Sequence, residues 1–347
     1  MRYIFHPDAL GHRPPNYIQR GERRPMPEKP ERAEALAGVL TARGGVLETP
    51  PDYGPGPRAA VHSPEYLAFL ESVHARWVAL PGASEVVTPN VHRSNAPASY
   101  PTHVVGQAGY HLYDTSAPIA ADTWTATVAA AHAATHAAVL VATGETRSAY
   151  ALCRPPGHHA TRDMGGGFCY LNHVAIAAQA SLPLLSKQGR PPRVAILDVD
   201  VHHGNGTQDI FYSRNDVLFL SVHADPNVFY PYMAGHAHER GTGLGEGYTI
   251  NRPLPMGSDE PAVLAAIAES LADVARFAPE ILFISLGFDT FKDDPLAAFG
   301  VTTPGFRVMG EMIARAGLPT VLVQEGGYAV DALAANLASF LDGFESV

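Results

Sequence analysis

Residues 194–197, Val-Ala-Ile-Leu, follow the breaker Pro191-Pro192 as an unbroken apolar run, and 198–206 then read Asp-Val-Asp-Val-His-His-Gly-Asn-Gly. An apolar run without polar alternation reads as a strand covered on both faces, the condition of a parallel sheet between helices. Such a sheet carries its ligands at the carboxyl ends of its strands. Continued alternation puts Asp198, Asp200 and His202 on one side, with Val199 and Val201 on the other. Oxygen and nitrogen donors at that spacing suit a divalent metal, zinc first.

The rest of the chain supplies neighbours for that strand. Short strand-like runs recur at 1–6, 150–152, 217–223, 280–287 and 319–324. Between them, Pro30-Glu31-Arg32 opens a helix over 33–43 that Gly44-Gly45 ends. Ser63-Pro64-Glu65 is an N-cap with proline at the first helical position, starting the amphipathic helix of Tyr66, Leu67, Phe69, Leu70, Val73 and Trp77. Helices are also expected at 122–142, from Val174 (long and Ala-rich), and at 262–277, 304–316 and 330–341. This alternation defines a single-domain, three-layer α/β/α fold with a central, mostly parallel sheet. No repeat or linker divides the 347 residues. Residues 11–30 form a loop rich in Arg and Pro, read as solvated surface or a subunit contact. Residues 80–102 form an inserted loop of the length used for lids, binding loops or oligomer contacts.

Composition narrows the function. A net charge of −10 argues against nucleic acid and is compatible with a cationic substrate. The two cysteines, Cys153 and Cys169, suggest neither a disulfide framework nor a Cys-rich zinc site. The amino terminus has no apolar signal core and no apolar run reaches spanning length, so a cytoplasmic protein without a membrane partner is expected. His132 and His136, four apart on one helix face without an acidic partner, read as packing residues.

Four strand ends carry polar groups: His158-His159, Asp200 with His202, Asp289, and Tyr328. In a parallel sheet they share one edge and can converge. Asp200, His202 and Asp289 make three ligands and leave a position open, as a catalytic zinc requires. His158 and His159, on a Pro-Gly turn, supply general acid and base. Tyr328, freed by Gly326-Gly327, can donate its hydroxyl to a developing oxyanion.

In this order, five motifs resemble one family: 153–159 (Cys-Arg-Pro-Pro-Gly-His-His), 166–172 (Gly-Gly-Phe-Cys-Tyr-Leu-Asn), 198–208, 285–289 (Ser-Leu-Gly-Phe-Asp) and 325–328 (Glu-Gly-Gly-Tyr). The family is the arginase/deacetylase superfamily, and within it the zinc-dependent histone deacetylases and bacterial acetylpolyamine amidohydrolases. Weaker similarity at 62–66 and 30–32 carries it over nearly the full length. The resemblance implies one zinc ion on Asp200, His202 and Asp289. It implies His159 as the general base, His158 as the partner that helps protonate the leaving amine, and Tyr328 as the group sharing the carbonyl oxygen. Asp198 falls where the family orients His158. With Asp200, His202, Ser221 and Val222 it also lines a potassium site; a second would use Phe211 and Val217 through backbone carbonyls. Asn205 stands where some relatives carry Asp, supporting His159 without negative charge and so with lower basicity. Phe168 and Tyr230 match the aromatic walls of an acyl tunnel, a phenol at the second position being a departure. The Gly167 carbonyl would accept the substrate amide N–H. The arginase branch needs a further Asp two residues past the metal-binding histidine; Gly204 stands there, and Thr290-Phe291 follow Asp289, so one divalent ion is expected.

The activity implied is removal of acetyl from N-acetylated primary amines, above all acetylpolyamines such as acetylputrescine or acetylcadaverine. The enzyme would be a homodimer whose 80–102 loop packs between subunits and narrows the entrance. Polyamine selection calls for acids at the mouth, and 101–117 offers only Asp114, beside Tyr113. That pair resembles the rim with which histone deacetylases bind the substrate backbone. The alternatives are therefore a lysine deacetylase acting on peptides or proteins and an amidase for an uncharged small amide. A non-catalytic acetyl-amine binding protein is the third, although such proteins typically lose the tyrosine or a ligand that this chain retains.

Overall fold

The computed structural model describes residues 1–93, 99–185 and 191–347. Eight strands form one sheet: β1 (Arg2–Ile4), β4 (Leu47–Glu48), β5 (Ser148–Ala151), β6 (Val194–Asp198), β7 (Val217–Ala224), β8 (Thr249–Leu254), β9 (Ile281–Leu286) and β10 (Thr320–Gln324). Their spatial order is β4-β1-β5-β10-β9-β6-β7-β8, with every neighbouring pair parallel. A separate antiparallel hairpin joins β2 (Asn16–Gln19) and β3 (Glu22–Pro25).

Every residue of β6, β7, β9 and β10 is buried, as their continuous apolar runs require. Strand alternation divides these residues between two cores. Val194, Ile196, Phe219, Phe283 and Val321 pack with the helices Thr123–Ala142 and His173–Ser181. Ala195, Leu197, Leu218, Leu282 and Leu322 pack on the other face with Leu36, Ile267, Phe306 and Leu337. Those four come from the helices Pro30–Ala42, Glu260–Phe277, Thr303–Arg315 and Val330–Phe344. The result is the expected single-domain α/β/α sandwich. Ser63 caps the helix Pro64–Val78 by accepting from the Tyr66 N–H at 3.3 Å, and Asp259 and Thr302 cap two others in the same way.

Several local expectations need correction. Residues 11–30 are solvated only in part: Arg13, Arg20, Arg23 and Arg24 are exposed as expected, but the segment is not all loop. The turn Arg20-Gly21, both at positive φ (52° and 79°), closes the β2–β3 hairpin. Glu28 is fully buried between Arg32 (2.7 Å) and Arg154 (2.9 Å). The helix from Val174 begins at His173 and is short, because Pro183 removes an amide and converts its end into a 3₁₀ turn. The strand β8 escaped notice because an edge strand tolerates Asn251, Arg252 and Pro253. Thr123–Ala142 does reach the length and mean hydropathy of a membrane span, contrary to expectation, but it is two-thirds buried within the fold. His132 and His136 pack against Tyr53, which donates its N–H to His132 and has its hydroxyl 2.7 Å from His136, but contrary to expectation His132 has an acidic partner, Asp52, 3.3 Å from its Nε2. Of the 80–102 loop, residues 94–98 lie outside the described residues; Val87 bridges to Ile119, and the helix Val104–His111 follows.

Candidate active site

β6 ends at Asp198, in register with Ser221 of β7 and Ser285 of β9. Beyond it the carboxylates replace the sheet as hydrogen-bond partners. Asp198 accepts from the Asp200 N–H (3.1 Å), and Asp200 accepts from the His202 N–H (2.9 Å). Asp289, just past β9, accepts from the Val201 N–H (2.9 Å), and Gly326, past β10, donates its N–H to Asp200 (2.8 Å). Three adjacent strands are thereby tied together at their carboxyl ends.

His202 Nδ1 lies 3.1 Å from both Asp200 Oδ1 and Asp289 Oδ2. One donor atom from each of the three residues lies within 4.8 Å of the others. The glycines beside them keep the space open: a Cβ on Gly326 would fall 2.3 Å from Asp289 Oδ2, and one on Gly287 the same distance from Asp200 Oδ2. Burial pushes Asp289 up to about 7, and the neighbouring Asp200 adds to this. Burial also works against Asp200, but His158 and His202 overcome it and hold that carboxylate ionised. Two buried carboxylates sharing one imidazole proton form a place where a divalent cation can take over the proton's role. Two oxygens and one nitrogen match a catalytic zinc set, so these residues fit the ion that the sequence implies.

The paired histidines follow β5 on a turn held by Glu325, which accepts from the N–H groups of Gly157 (2.7 Å) and His158 (3.1 Å). Burial pushes Glu325 itself up to about 7. His158 Nδ1 lies 2.9 Å from Asp198. Burial disfavours its cation, but Asp198 and Asp200 outweigh that and raise it to about 10. His159, with its ring 4.1 Å away, bonds Asn205 Oδ1 through Nδ1 at 2.7 Å. Burial, then His158 and His202, hold His159 well below its ordinary value. The two neighbouring imidazoles are thus shifted in opposite directions, the division of labour that acid–base catalysis uses.

Tyr328 is 8 % exposed, and its hydroxyl has no hydrogen-bond partner among the described residues. Burial drives its pKa far above 10 against the opposing pull of Arg32, so it remains a donor. Its backbone is clamped by Asp294, which accepts from the N–H groups of Tyr328 (2.5 Å) and Ala329 (2.9 Å). Arg32 lies 4.8 Å from its ring centroid and donates to the carbonyls of Gly327 (2.5 Å) and Glu325 (2.7 Å). Phe168, at φ 68°, stands edge-on to Tyr328 at 5.7 Å, and Tyr230 edge-on to His159 at 5.0 Å. Gly167 sits at φ 54°, where a Cβ would meet His159 at 2.4 Å. Asp114 is engaged inside the protein: Oδ2 accepts from the Tyr230 hydroxyl (2.6 Å) and the Gly167 N–H (3.0 Å), and Oδ1 from Ser116 (2.8 Å). Ser221 Oγ lies 2.8 Å from His223 Nδ1, Val222 follows it in β7, and Phe211 and Val217 stand at the end of the helix Asn205–Phe211 and the start of β7. Sequence reasoning assigned no role to Arg32, Asp294 or Glu325, and none to Tyr113 beyond its place in the rim pair with Asp114. Arg32 and Glu325 lay inside quoted motifs, Tyr113 stood beside Asp114, and nothing periodic marks Asp294.

Residues 26–344 match the histone deacetylase domain. The chain belongs to the histone deacetylase family and is an enzyme of that family. It is 48% identical to the acetylpolyamine amidohydrolase of Burkholderia pseudomallei, over 99% of this chain and 98% of that protein. It is 45% identical to acetylpolyamine amidohydrolase 1 of Pseudomonas aeruginosa, over 99% of each. The crystal structure of an acetylpolyamine aminohydrolase from Burkholderia pseudomallei superposes with a TM-score of 0.95, at 47% identity, covering 100% of this chain and 99% of that one.

Proposed function

We propose that the protein is a zinc-dependent amidohydrolase that removes acetyl from acetylpolyamines such as acetylputrescine and acetylcadaverine. The observation that carries this reading is the meeting of Asp200, His202 and Asp289 beside two histidines held by Asp198 and Asn205. The polyamine substrate is supported by the names of relatives 40–48% identical over nearly the whole chain. Asp200, His202 and Asp289 would hold the zinc ion, which when bound would supply Lewis-acid polarisation of the amide carbonyl and of water. His159, its Nδ1 proton directed at Asn205, offers Nε2 to the proton of the attacking water. Tyr328 donates its hydroxyl to the oxyanion that develops as the new C–O bond forms. His158, kept cationic by Asp198, protonates the nitrogen as the C–N bond breaks, and acetate and free amine leave. Asp198, Asp200, His202, Ser221 and Val222 would hold a potassium ion, and Phe211 and Val217 a second. The assembly proposed is a homodimer contacting through 80–102.

A second reading, lysine deacetylation on peptides, is favoured by one feature. Asp114, the only acid in 101–117, is already engaged by Tyr230 and Gly167. Turnover of acetylputrescine, acetylcadaverine and an acetyl-lysine peptide by the zinc-loaded protein separates the two. The polyamines turn over with the higher kcat/KM; faster peptide hydrolysis overturns the polyamine assignment.

A further inference from the structure

We propose that Tyr113 is a positioning residue for His159: its hydroxyl holds the side-chain amide of Asn205 in the one orientation that keeps the His159 proton on Nδ1. The inference rests on the reading of His159 as general base. An asparagine amide is nearly symmetric in shape, so its orientation is decided by what faces each end. Here Oδ1 faces His159 Nδ1 at 2.7 Å, and Nδ2 faces the Tyr113 hydroxyl at 3.4 Å. Tyr113 donates its own proton to the His159 carbonyl at 3.1 Å, which turns its lone pairs toward Asn205. The nearby Tyr230 hydroxyl, at 3.2 Å, does not compete for that role, because its proton goes to Asp114 at 2.6 Å.

The placement of the Tyr113 hydroxyl is built into the fold. Leu112 bridges to Gly165, and the Tyr113 N–H donates to the Gly165 carbonyl at 3.1 Å. The ring then lies over Gly166, where a Cβ would fall 2.1 Å from Cζ. With the amide reversed, its NH₂ would face His159 Nδ1. The ring proton would then sit on Nε2, and the lone pair that receives the proton of water would be gone. Reversal would also aim the amide oxygen at a Tyr113 oxygen whose proton is already committed to the His159 carbonyl. Tyr113 thus favours the competent tautomer by acting through Asn205.

The test is a double-mutant cycle on zinc-loaded protein with the fastest substrate of the panel above. Tyr113→Phe lowers kcat about threefold to tenfold, the scale of one hydrogen bond, with KM nearly unchanged. In Asn205→Asp, both ends of the side chain are acceptors and orientation ceases to matter. Tyr113→Phe in that background then costs less than about twofold. An equal loss in both backgrounds marks mere packing of the tunnel wall and overturns the proposal, as does full activity of the single variant. A second readout does not depend on turnover: ¹⁵N-histidine NMR, with His159 assigned by difference from His159→Ala. Tyr113→Phe shifts His159 toward the Nε2–H tautomer, and an unchanged tautomer overturns the proposal. If the parent protein hydrolyses no acetylated amine, the deacetylase reading fails, and the tautomer measurement still decides the orientation claim.

Discussion

Replacing Tyr328 by Phe removes one hydroxyl and leaves everything that holds the ring. The Asp294 clamp on the Tyr328 and Ala329 amides is made to backbone, and the Arg32 and Phe168 contacts are made to the ring. The hydroxyl has no partner to lose among the described residues, and the ring is already largely buried, so the variant folds with little change in stability. What disappears is the donor proposed for the oxyanion, on a side chain that is largely buried. Losing such a donor lowers kcat about 10²–10³-fold, roughly 2.7–4 kcal/mol of transition-state stabilisation. Tyr328 lies outside the Asp200–His202–Asp289 cluster, so zinc content stays at the parent level. Steady-state kinetics on acetylputrescine, with elemental analysis of the same preparation, measures both quantities. A loss below about tenfold, or a variant purified without metal, refutes the assignment of Tyr328 as oxyanion donor.

Arg32→Met strips two backbone carbonyls of charged donors and leaves buried Glu28 with only Arg154 and His12. Breaking a buried ion pair of this kind destabilises by about 3–5 kcal/mol, read as a lower urea midpoint at unchanged slope; a change under about 1 kcal/mol would show that the cluster holds nothing together. Stability also falls with acid. Burial holds His12 and His173 at about 3 and His62 and His223 at about 4, below their unfolded value of 6.5. Between those values the unfolded chain binds more protons, so their contribution is complete above pH 6.5 and declines as pH drops toward 4. Asp289 and Glu325, raised to about 7, act in the opposite sense over the same window. These buried histidines outnumber the two acids, so the net expectation is a loss of stability as pH falls from 6.5 to 4.5. Denaturation midpoints equal at pH 4.5 and 6.5 would contradict this.

What was legible in the chain was whatever announces itself locally. β6, β9 and β10 are apolar at successive positions, and the polar residues that follow them, Asp200, His202, Asp289 and Tyr328, could be placed at one sheet edge before any contact was known. The opposite shifts of His158 and His159 were half legible: Asp198 and Asn205 could be named as their supports, but the pull of Asp200 on His158 and the push of His158 on His159 follow from how the fold packs these groups, with the two rings 4.1 Å apart. What stayed hidden depends on segments far apart in sequence. Glu28, Arg32 and Arg154 look like solvated charges until the fold buries them against one another. The same holds for Asp114, which reads as a free rim acid until Tyr230, 116 residues away, donates a proton to it. The edge strand β8 and the β2–β3 hairpin carry too few apolar residues to produce a clear alternation.

The central claim is that Asp200, His202 and Asp289 together grip one divalent ion. Competition of the purified protein against a chromophoric zinc chelator tests it most directly. The account predicts one tight equivalent in the parent protein and its loss in Asp289→Asn, with far-UV circular dichroism unchanged. Two tight equivalents, none, or one that survives the substitution would contradict it.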